Sequence, residues 1–399
     1  MTTSYADAWA DYLAALGQAR IEVEADPICA DSKVRAAALY LPTQMQAVAF
    51  HMYLAPSKTY PQLYHQQIYS PFELCWGMPN PDYVYRFGFL DGRRRYRLSG
   101  PRRSPAPWFN LQLFTGWWGD PVIRELAEVE LNDRANEAGE IEIFFGPEKL
   151  RDSDILLDPG EMNNVINIRE AMEDWDAQNV TPLRLECVDE GGRGPFTFSE
   201  AEQVERLIRA AEMVRGTVRR TLRNHRRILE AAGGENRFFA DVPMAERAQN
   251  NANLAQTMVT GLYNVPPGQS LIIETEMPRQ ARYWGIQLAD LWWRTADWVY
   301  HQSSLNRTNA HFGPDGLFRA IVSHEDPGIQ NWLDPVDNDR GQMIFRLNQA
   351  STTPLPRTRL VPSTEVRQHL PADIPHFTAD QRREQIARRT AHAQRRYAI

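Results

Sequence analysis

Three histidines, His301, His311 and His324, fall within 24 positions of a chain that has nine in all. Imidazole exchanges protons near neutral pH, so such a cluster reads as a general acid, a general base or a ligand set. His301 and His324 are the candidate bases, with Asp326 as a neighbouring carboxylate. Asn306 and Asn331 can orient a carbonyl or hydroxyl, or equally cap turns. Trp298, Tyr300 and Trp332 would line an aromatic pocket beside His311. Far upstream, Arg86 stands beside Tyr83 and Tyr85 and can grip a substrate carboxylate bidentately. His324-x-Asp326 with His376 has the residue types of a two-histidine, one-carboxylate iron site. Asp326-Pro327-Gly328 is itself turn chemistry, however, and His376 lies in a Pro-rich tail, so no metal and no other cofactor is assigned.

The familiar catalytic signatures are missing. There is no Gly-x-Ser-x-Gly, no His-Glu-x-x-His, no phosphate-binding Gly-x-x-x-x-Gly-Lys and no dinucleotide glycine fingerprint. The net charge of −7 argues against a polyanion partner, so the Arg-rich stretches read as solvated faces or packing surfaces rather than nucleic-acid sites. Cys29, Cys75 and Cys187 are odd in number and far apart, which suggests neither a disulfide framework nor a zinc cluster. No leader pattern and no long apolar run is present, so no membrane span is expected and the cytoplasm is the default location.

These side chains need elements to hold them. Helical spacing covers residues 5–18, closed by Gly17, and 33–54, interrupted at Pro42. Strand patterns cover 83–90 and 95–99, joined at Asp91-Gly92 as a hairpin, then 109–115, 140–145, 164–169 and 182–188. The run Glu190-Gly-Gly-Arg-Gly-Pro marks a flexible boundary. Ser199 and Glu202 form a capping box for a long Arg-rich helix that ends at Gly233-Gly234. Strands return at 270–276, 283–289, 317–323 and 342–347. A Pro-rich run over 351–375 precedes a last helix, opened by Thr378 and Gln381, whose arginines suit a second copy of the chain.

The chain also repeats itself. FNLQLFTGWW at 109–118 matches WGIQLADLWW at 284–293, which aligns Gln112 with Gln287 and Trp117-Trp118 with Trp292-Trp293 at a shift of 175. Gly139 matches Gly316 and Arg169 matches Arg346 at a shift of 177, and Leu157-Asp158-Pro159 matches Leu333-Asp334-Pro335 at 176. Several anchors in one order at near-constant offset indicate two copies of one β-unit. Residues common to both copies, Asp334 among them, then serve the fold, and residues found in one copy mark function.

Tyr283-Trp284, Ser304-Leu305-Asn306, Asp315-Gly316, Asp326-Pro327-Gly328 and Asn331-Trp332-Leu333-Asp334 together resemble the C-terminal domain of domain-of-unknown-function family 1214 (DUF1214). Asn80-Pro81-Asp82-Tyr83-Val84-Tyr85-Arg86 and Asp174-Trp175 resemble the companion family DUF1254. The resemblance implies a β-sandwich or jelly roll and no particular reaction.

The expected fold is mainly β with added helices, an α+β chain whose duplicated β-unit forms a sandwich-like core. Its parts are an N-terminal helical segment at 1–60, a first β-unit at 61–190, a helical connector at 191–265, a second β-unit at 266–350 and a tail at 351–399. The expected function is acid–base chemistry (hydrolysis, elimination or isomerisation) on a hydrophobic or aromatic small molecule. The alternative is a non-catalytic carbohydrate- or lipid-binding sandwich.

Overall fold

The computed structural model describes residues 3–65, 77–102, 106–116, 122–161, 163–189, 199–240 and 256–397. Trp117-Trp118, Cys75 and the 190–195 turn lie outside the described residues. Eighteen strands are described, and they fall into two sets of nine. The first set is β1 (Tyr64–His65), β2 (Tyr83–Leu90), β3 (Tyr96–Pro101), β4 (Phe109–Thr115), β5 (Arg124–Glu130), β6 (Glu140–Gly146), β7 (Ile155–Leu156), β8 (Asn164–Ala171) and β9 (Arg184–Cys187). The second is β10 (Arg237–Ala240), β11 (Gln256–Asn264), β12 (Gln269–Thr275), β13 (Tyr283–Ala289), β14 (Ser304–Asn306), β15 (Phe318–Ser323), β16 (Trp332–Leu333), β17 (Arg340–Asn348) and β18 (Arg357–Pro362).

The two sets share one topology. Five-stranded sheets run β1-β2-β8-β4-β5 and β10-β11-β17-β13-β14, and four-stranded sheets run β7-β6-β3-β9 and β16-β15-β12-β18. Adding nine to each strand of the first pair of sheets reproduces the second pair. In each set the two sheets close on one apolar layer. The first layer draws Leu111, Leu113, Ile166 and Ile168 from one sheet and Leu98, Ile141, Ile143 and Phe145 from the other. The second draws Ile286, Leu288, Phe345 and Leu347 against Leu271, Ile273, Phe318 and Val322. Alternation along each strand makes this possible, because every second side chain points to the same face.

The Asp91-Gly92 turn is present, but it does not make a hairpin. β2 belongs to a five-stranded sheet and β3 to a four-stranded one, so the turn carries the chain from one layer to the other. β2 is buried along its whole length, as a strand covered on both faces must be. The turn presses on the 157–159 segment so closely that a Cβ at Gly92 would lie 1.8 Å from the Asp158 carbonyl oxygen.

By compactness the chain divides into two units that interleave along the sequence. The first comprises Met1–Gln66, Val84–Glu170 and Asn179–Leu222, and the second Gln67–Tyr83, Ala171–Gln178 and Arg223–Ile399. Helix α1 (Tyr5–Glu24) runs through Gly17 rather than stopping there. Nothing lies within 4 Å of a Cβ built at that position, and a single exposed glycine costs a helix only about 1 kcal/mol. Helices α2 (Ser32–Leu39) and α3 (Leu41–Ala49) break at Tyr40, which puts Pro42 in the first turn of α3 where its missing N–H is harmless. Helix α4 (Glu200–Ala232) carries the expected capping box, with Ser199 and Glu202 each accepting from the other's backbone N–H at 3.2 Å. Within the first unit, two of its arginines pair with α1, Arg215 with Asp11 at 2.6 Å and Arg219 with Glu22 at 3.4 Å.

Helix α5 (Ala379–Tyr397) opens on the Thr378–Gln381 box. Three of its arginines, Arg382, Arg389 and Arg396, are buried against the second unit, where they bind Asp326, the Trp298 carbonyl and the Pro81 carbonyl, while Arg383, Arg388 and Arg395 are exposed. That face is spent within its own chain. No helix among the described residues is long and apolar enough to cross a membrane.

Candidate functional site

Within the second unit the three clustered histidines diverge. His301 Nδ1 meets Asp334 Oδ2 at 2.7 Å, with the imidazole about two-fifths exposed (41%). That hydrogen bond and the nearby carboxylate charge raise the His301 pKa above its ordinary value, against the opposing effect of partial burial. Asp334 is itself fixed by the Val336 N–H at 2.8 Å. His324 Nε2 instead meets the Val265 carbonyl at 2.9 Å and Asp339 at 3.3 Å. The His311 backbone N–H donates to Asn331 Oδ1 at 2.7 Å. Asp326 turns to Arg382 at 2.9 Å, and His376 Nδ1 lies 3.1 Å from Arg367. His324, Asp326 and His376 therefore have separate partners and do not converge as a metal triad would. Among the described residues no group of three or more His, Cys, Asp or Glu could hold a metal ion.

The amides and aromatics chosen from sequence mostly hold the fold. Asn306 donates to the Glu173 carbonyl and accepts from the Thr308 N–H, both inside the second unit. Asn331 donates to the carbonyls of His311 and Arg319 and so clamps a loop to β15. Trp298 is buried against Trp175, Ala393 and Tyr397, so it forms core rather than the lining of an open pocket. Trp332 donates its indole N–H to the Ser323 carbonyl at 2.8 Å, and Arg382 lies over its ring. Tyr300 is exposed, and its backbone N–H caps on Asp297. His311, Arg319, Asn331 and His376 line a cleft with Ile329 and Phe377, but its volume is about 30 Å³, the room of roughly one water. In the first unit Arg86 is buried on Glu170 and the Thr181 carbonyl, which removes it from any substrate carboxylate.

The shared residues behave as the repeat implies. Arg169 donates to Gln112 Oε1 in the first unit, and Arg346 donates to Gln287 Oε1 in the second. One polar bond is thus built twice, on equivalent strands. In the first unit it becomes the root of a larger cluster. Gln112 Nε2 donates to Glu125 at 2.6 Å and Asn110 Nδ2 donates to Glu128 at 2.8 Å. Asn167 stands directly across the ladder from Gln112, is 2% exposed, and its Oδ1 has no hydrogen-bond partner among the described residues.

A backbone irregularity assembles this group. Residues 125 and 128, three apart, would point to opposite faces of a regular strand. Pairing of β4 with β5 runs Gln112↔Glu128 and Leu113↔Ala127, then slips to Phe114↔Glu125. The bulge turns Glu125 onto the face that already bears Glu128. Burial, then repulsion from Glu128, pushes the Glu125 carboxyl up to about 7, against the pull of Gln112 and Arg169. Burial also raises Glu128, opposed by Asn110 and Arg169. Glu128 reaches solvent while Asn110, Gln112 and Asn167 are buried, so the carboxylates stand at the solvent edge of a buried polar group.

Sequence reading passed over these residues. Arg-Glu-Leu-Ala-Glu-Val-Glu reads as a charged surface, and a bulge leaves no mark in the alternation. The test of presence in one copy alone, applied to the first copy, marks two of them, Asn110 and Asn167. At the offsets of the repeat, Asn110 faces Gly285 and Asn167 faces Ile344, so the second copy lacks this polar floor.

Fold and side chains together define a β-rich α+β protein of two homologous sandwiches that have diverged in their polar groups. Residues 269–352, within the second sandwich, match the family described as "Protein of unknown function (DUF1214)". No curated protein matches the chain. An uncharacterized protein from Burkholderia cenocepacia has a similar structure at 20% identity and a TM-score of 0.79, over 90% of this chain and 98% of that one. The VPA0106 protein from Vibrio parahaemolyticus aligns at 12% identity with a TM-score of 0.44, over 81% of this chain and 98% of that one.

Proposed function

We propose that this protein is an enzyme that carries out acid–base chemistry on a small molecule without a nucleotide cofactor, and that Glu125 and Glu128 are its proton-transfer pair. The observation that carries the reading is the bulge in β5, which sets two carboxylates on one face and holds each by its own amide. A carboxyl near pH 7 is about half protonated at neutral pH, which suits a general acid. In this reading Glu125 gives a proton, Glu128 takes one, and Asn167 Oδ1 accepts a hydrogen bond from the substrate. Phe114, opposite Glu125 in the ladder, supplies an apolar wall for a hydrophobic or aromatic group. Hydrolysis, elimination and isomerisation all need this pairing of a donor with an acceptor.

The His301–Asp334 pair supports a second placement of the same chemistry, because a carboxylate on Nδ1 fixes the tautomer and leaves Nε2 for proton transfer. A panel of chromogenic esters and glycosides and of enolisable aromatic ketones, assayed with wild type, Glu125→Gln and His301→Gln, separates the two. Turnover lost in Glu125→Gln and kept in His301→Gln supports the carboxylate pair. Turnover unchanged in Glu125→Gln overturns it.

A further inference from the structure

The loop 276–282 joins β12 to β13, which belong to different sheets of the second sandwich, so it crosses the end of the sandwich rather than closing a hairpin. It carries Arg279 and Arg282, both exposed. At the repeat's shift of 175 these positions face Ser104 and Pro107, so the two guanidiniums belong to the second copy alone.

The loop borders a pocket of about 390 Å³ that opens to solvent. Small-molecule sites span roughly 300–1,000 Å³, a range this pocket enters and the cleft beside His311 does not. Its whole lining lies in the second unit. Arg279, Arg282 and Arg307 stand around it, and among the described residues no carboxylate joins them in the lining. Pro278 and Trp284 add apolar surface, and Gln349 adds an amide.

The backbone beneath the arginines is held in place. The Gln280 carbonyl accepts from the Ser351 N–H at 2.8 Å, and the Arg282 N–H donates to the Asn348 carbonyl at 2.9 Å. Arg307, just after β14, ties the same loop down by donating to the Ala281 carbonyl at 3.0 Å, and its charge is matched by Glu173 at 2.6 Å. Arg307 thus positions the loop. Arg279 makes no hydrogen bond or ion pair among the described residues. Gln349, just after β17, has a left-handed backbone (φ 45°), a conformation that costs a residue with a side chain and gathers at functional sites.

A guanidinium is planar, permanently charged and offers paired N–H groups that match a carboxylate or a phosphate. A bounded pocket with cations on fixed backbone suits a small anion, whereas a nucleic-acid strand needs an extended basic stripe. Several guanidiniums around one opening favour a ligand with more than one negative charge.

We propose that this pocket is a binding site for a small dianion, a phosphate monoester or a dicarboxylate, gripped by Arg279 and Arg282. Gln349 supplies an amide to the ligand, and Pro278 and Trp284 contact its body. The site is independent of the Glu125–Glu128 reading, since it lies in the second unit and uses neither residue.

Calorimetric titration of the whole protein at low salt tests the proposal, with phenyl phosphate and benzene-1,3-dicarboxylate as probes and phenol as the uncharged control. Both dianions should bind ahead of phenol. Arg279→Gln and Arg282→Gln should each weaken binding about tenfold, as loss of a charge-assisted contact does. Arg35→Gln, which removes the same charge from an exposed position on α2, should change it less than twofold. A preference for phenyl phosphate marks a phosphate ester and the reverse preference a dicarboxylate, and either supports the site. The proposal is overturned if neither dianion binds at millimolar concentration. It is also overturned if Arg35→Gln weakens binding as much as Arg279→Gln does, in variants that keep native circular dichroism. An oligothymidylate that binds more tightly than phenyl phosphate, and is lost in the same two variants, assigns the face to a nucleic acid and overturns the small-molecule site.

Discussion

Gln112 donates its side-chain N–H to Glu125 at 2.6 Å while its own carbonyl oxygen accepts from Arg169. One amide thus relays a cation to a carboxylate through two hydrogen bonds, in a place where burial would otherwise keep the carboxyl protonated. The second unit keeps the Arg346–Gln287 half of the relay but has no carboxylate bound at its end.

The pH dependence of stability follows from this balance. Glu125 has a folded pKa of about 7, above its ordinary value of 4.5, so the folded state holds the proton more tightly than the unfolded chain does. Stability then falls as pH rises from about 4.5 through 7 and stays lower above that. Glu125→Gln, neutral and able to keep the contact with Gln112, should remove this penalty. We expect the variant to be more stable than wild type by about 1–2 kcal/mol at pH 8, discounted for solvent screening, and no more stable at pH 4. Urea unfolding at the two pH values measures it, and equal stability at pH 8 would count against a raised Glu125. If Glu125 is the general acid, turnover should also fall above pH 7.

His301 should respond to its partner. The Asp334 hydrogen bond and charge raise its pKa, so Asp334→Asn should return its titration toward 6.5, read from the imidazole proton shifts by NMR. A raised histidine pKa gives stability that is fully present below 6.5 and lost as pH climbs through the folded value. The variant should therefore be weaker than wild type mainly at acidic pH, beyond a constant loss from the Val336 cap. Unchanged titration of His301 in Asp334→Asn would sink this account of the pair.

Much of the scaffold was legible. The strands at 83–90, 109–115 and 283–289 coincide with β2, β4 and β13, because alternating apolar residues bounded by turns can hardly fold otherwise. The repeat was legible too, and with it the shared Arg–Gln bond. Pairing was not. Asp91-Gly92 indicates a turn, and nothing local tells whether its flanking strands share a sheet. Strand β11 carries Gly261 in its middle, and β18 lies among prolines, so both look like connecting chain. The sites were least legible. Asp334 is 33 residues from His301, and the Glu125–Glu128 pair depends on one slipped register. Residue types suggested chemistry, but only the backbone decides which of them meet.

Gly92 should tolerate no side chain. A Cβ there would meet the Asp158 carbonyl oxygen at 1.8 Å and its carbon at 2.5 Å, both main-chain atoms that cannot swing aside. Gly92→Ala must therefore move either the turn or the Leu157-Asp158-Pro159 segment that the repeat preserves. The expected cost is about 2–4 kcal/mol, seen as a lowered urea midpoint. Gly17→Ala is the control, since nothing lies within 4 Å of its Cβ and α1 is helical there, so it should be neutral or slightly stabilising. Equal effects at the two glycines would contradict the close approach at Gly92.

Helix α5 should loosen in acid through His392. Its Nδ1 donates to the Trp175 carbonyl and its Nε2 accepts from Arg396 at 2.9 and 2.7 Å, an arrangement that only the neutral ring can make. Burial first, then the charges of Arg396, Arg395 and Arg389, push its pKa down to about 2. The unfolded chain protonates this histidine near 6.5 and the folded state does not. The stability it lends is whole above 6.5 and lost as pH falls toward 2, by about 1.4 kcal/mol per pH unit below 6.5. Trp175 stacks on the ring at 5.1 Å, so its fluorescence should report the helix leaving. His392→Gln keeps a neutral side chain with donor and acceptor, and should flatten the loss between pH 6.5 and 5 while leaving stability at pH 8 within about 1 kcal/mol of wild type. If wild type and variant lose stability in parallel over that interval, His392 does not hold the helix in the way its contacts imply.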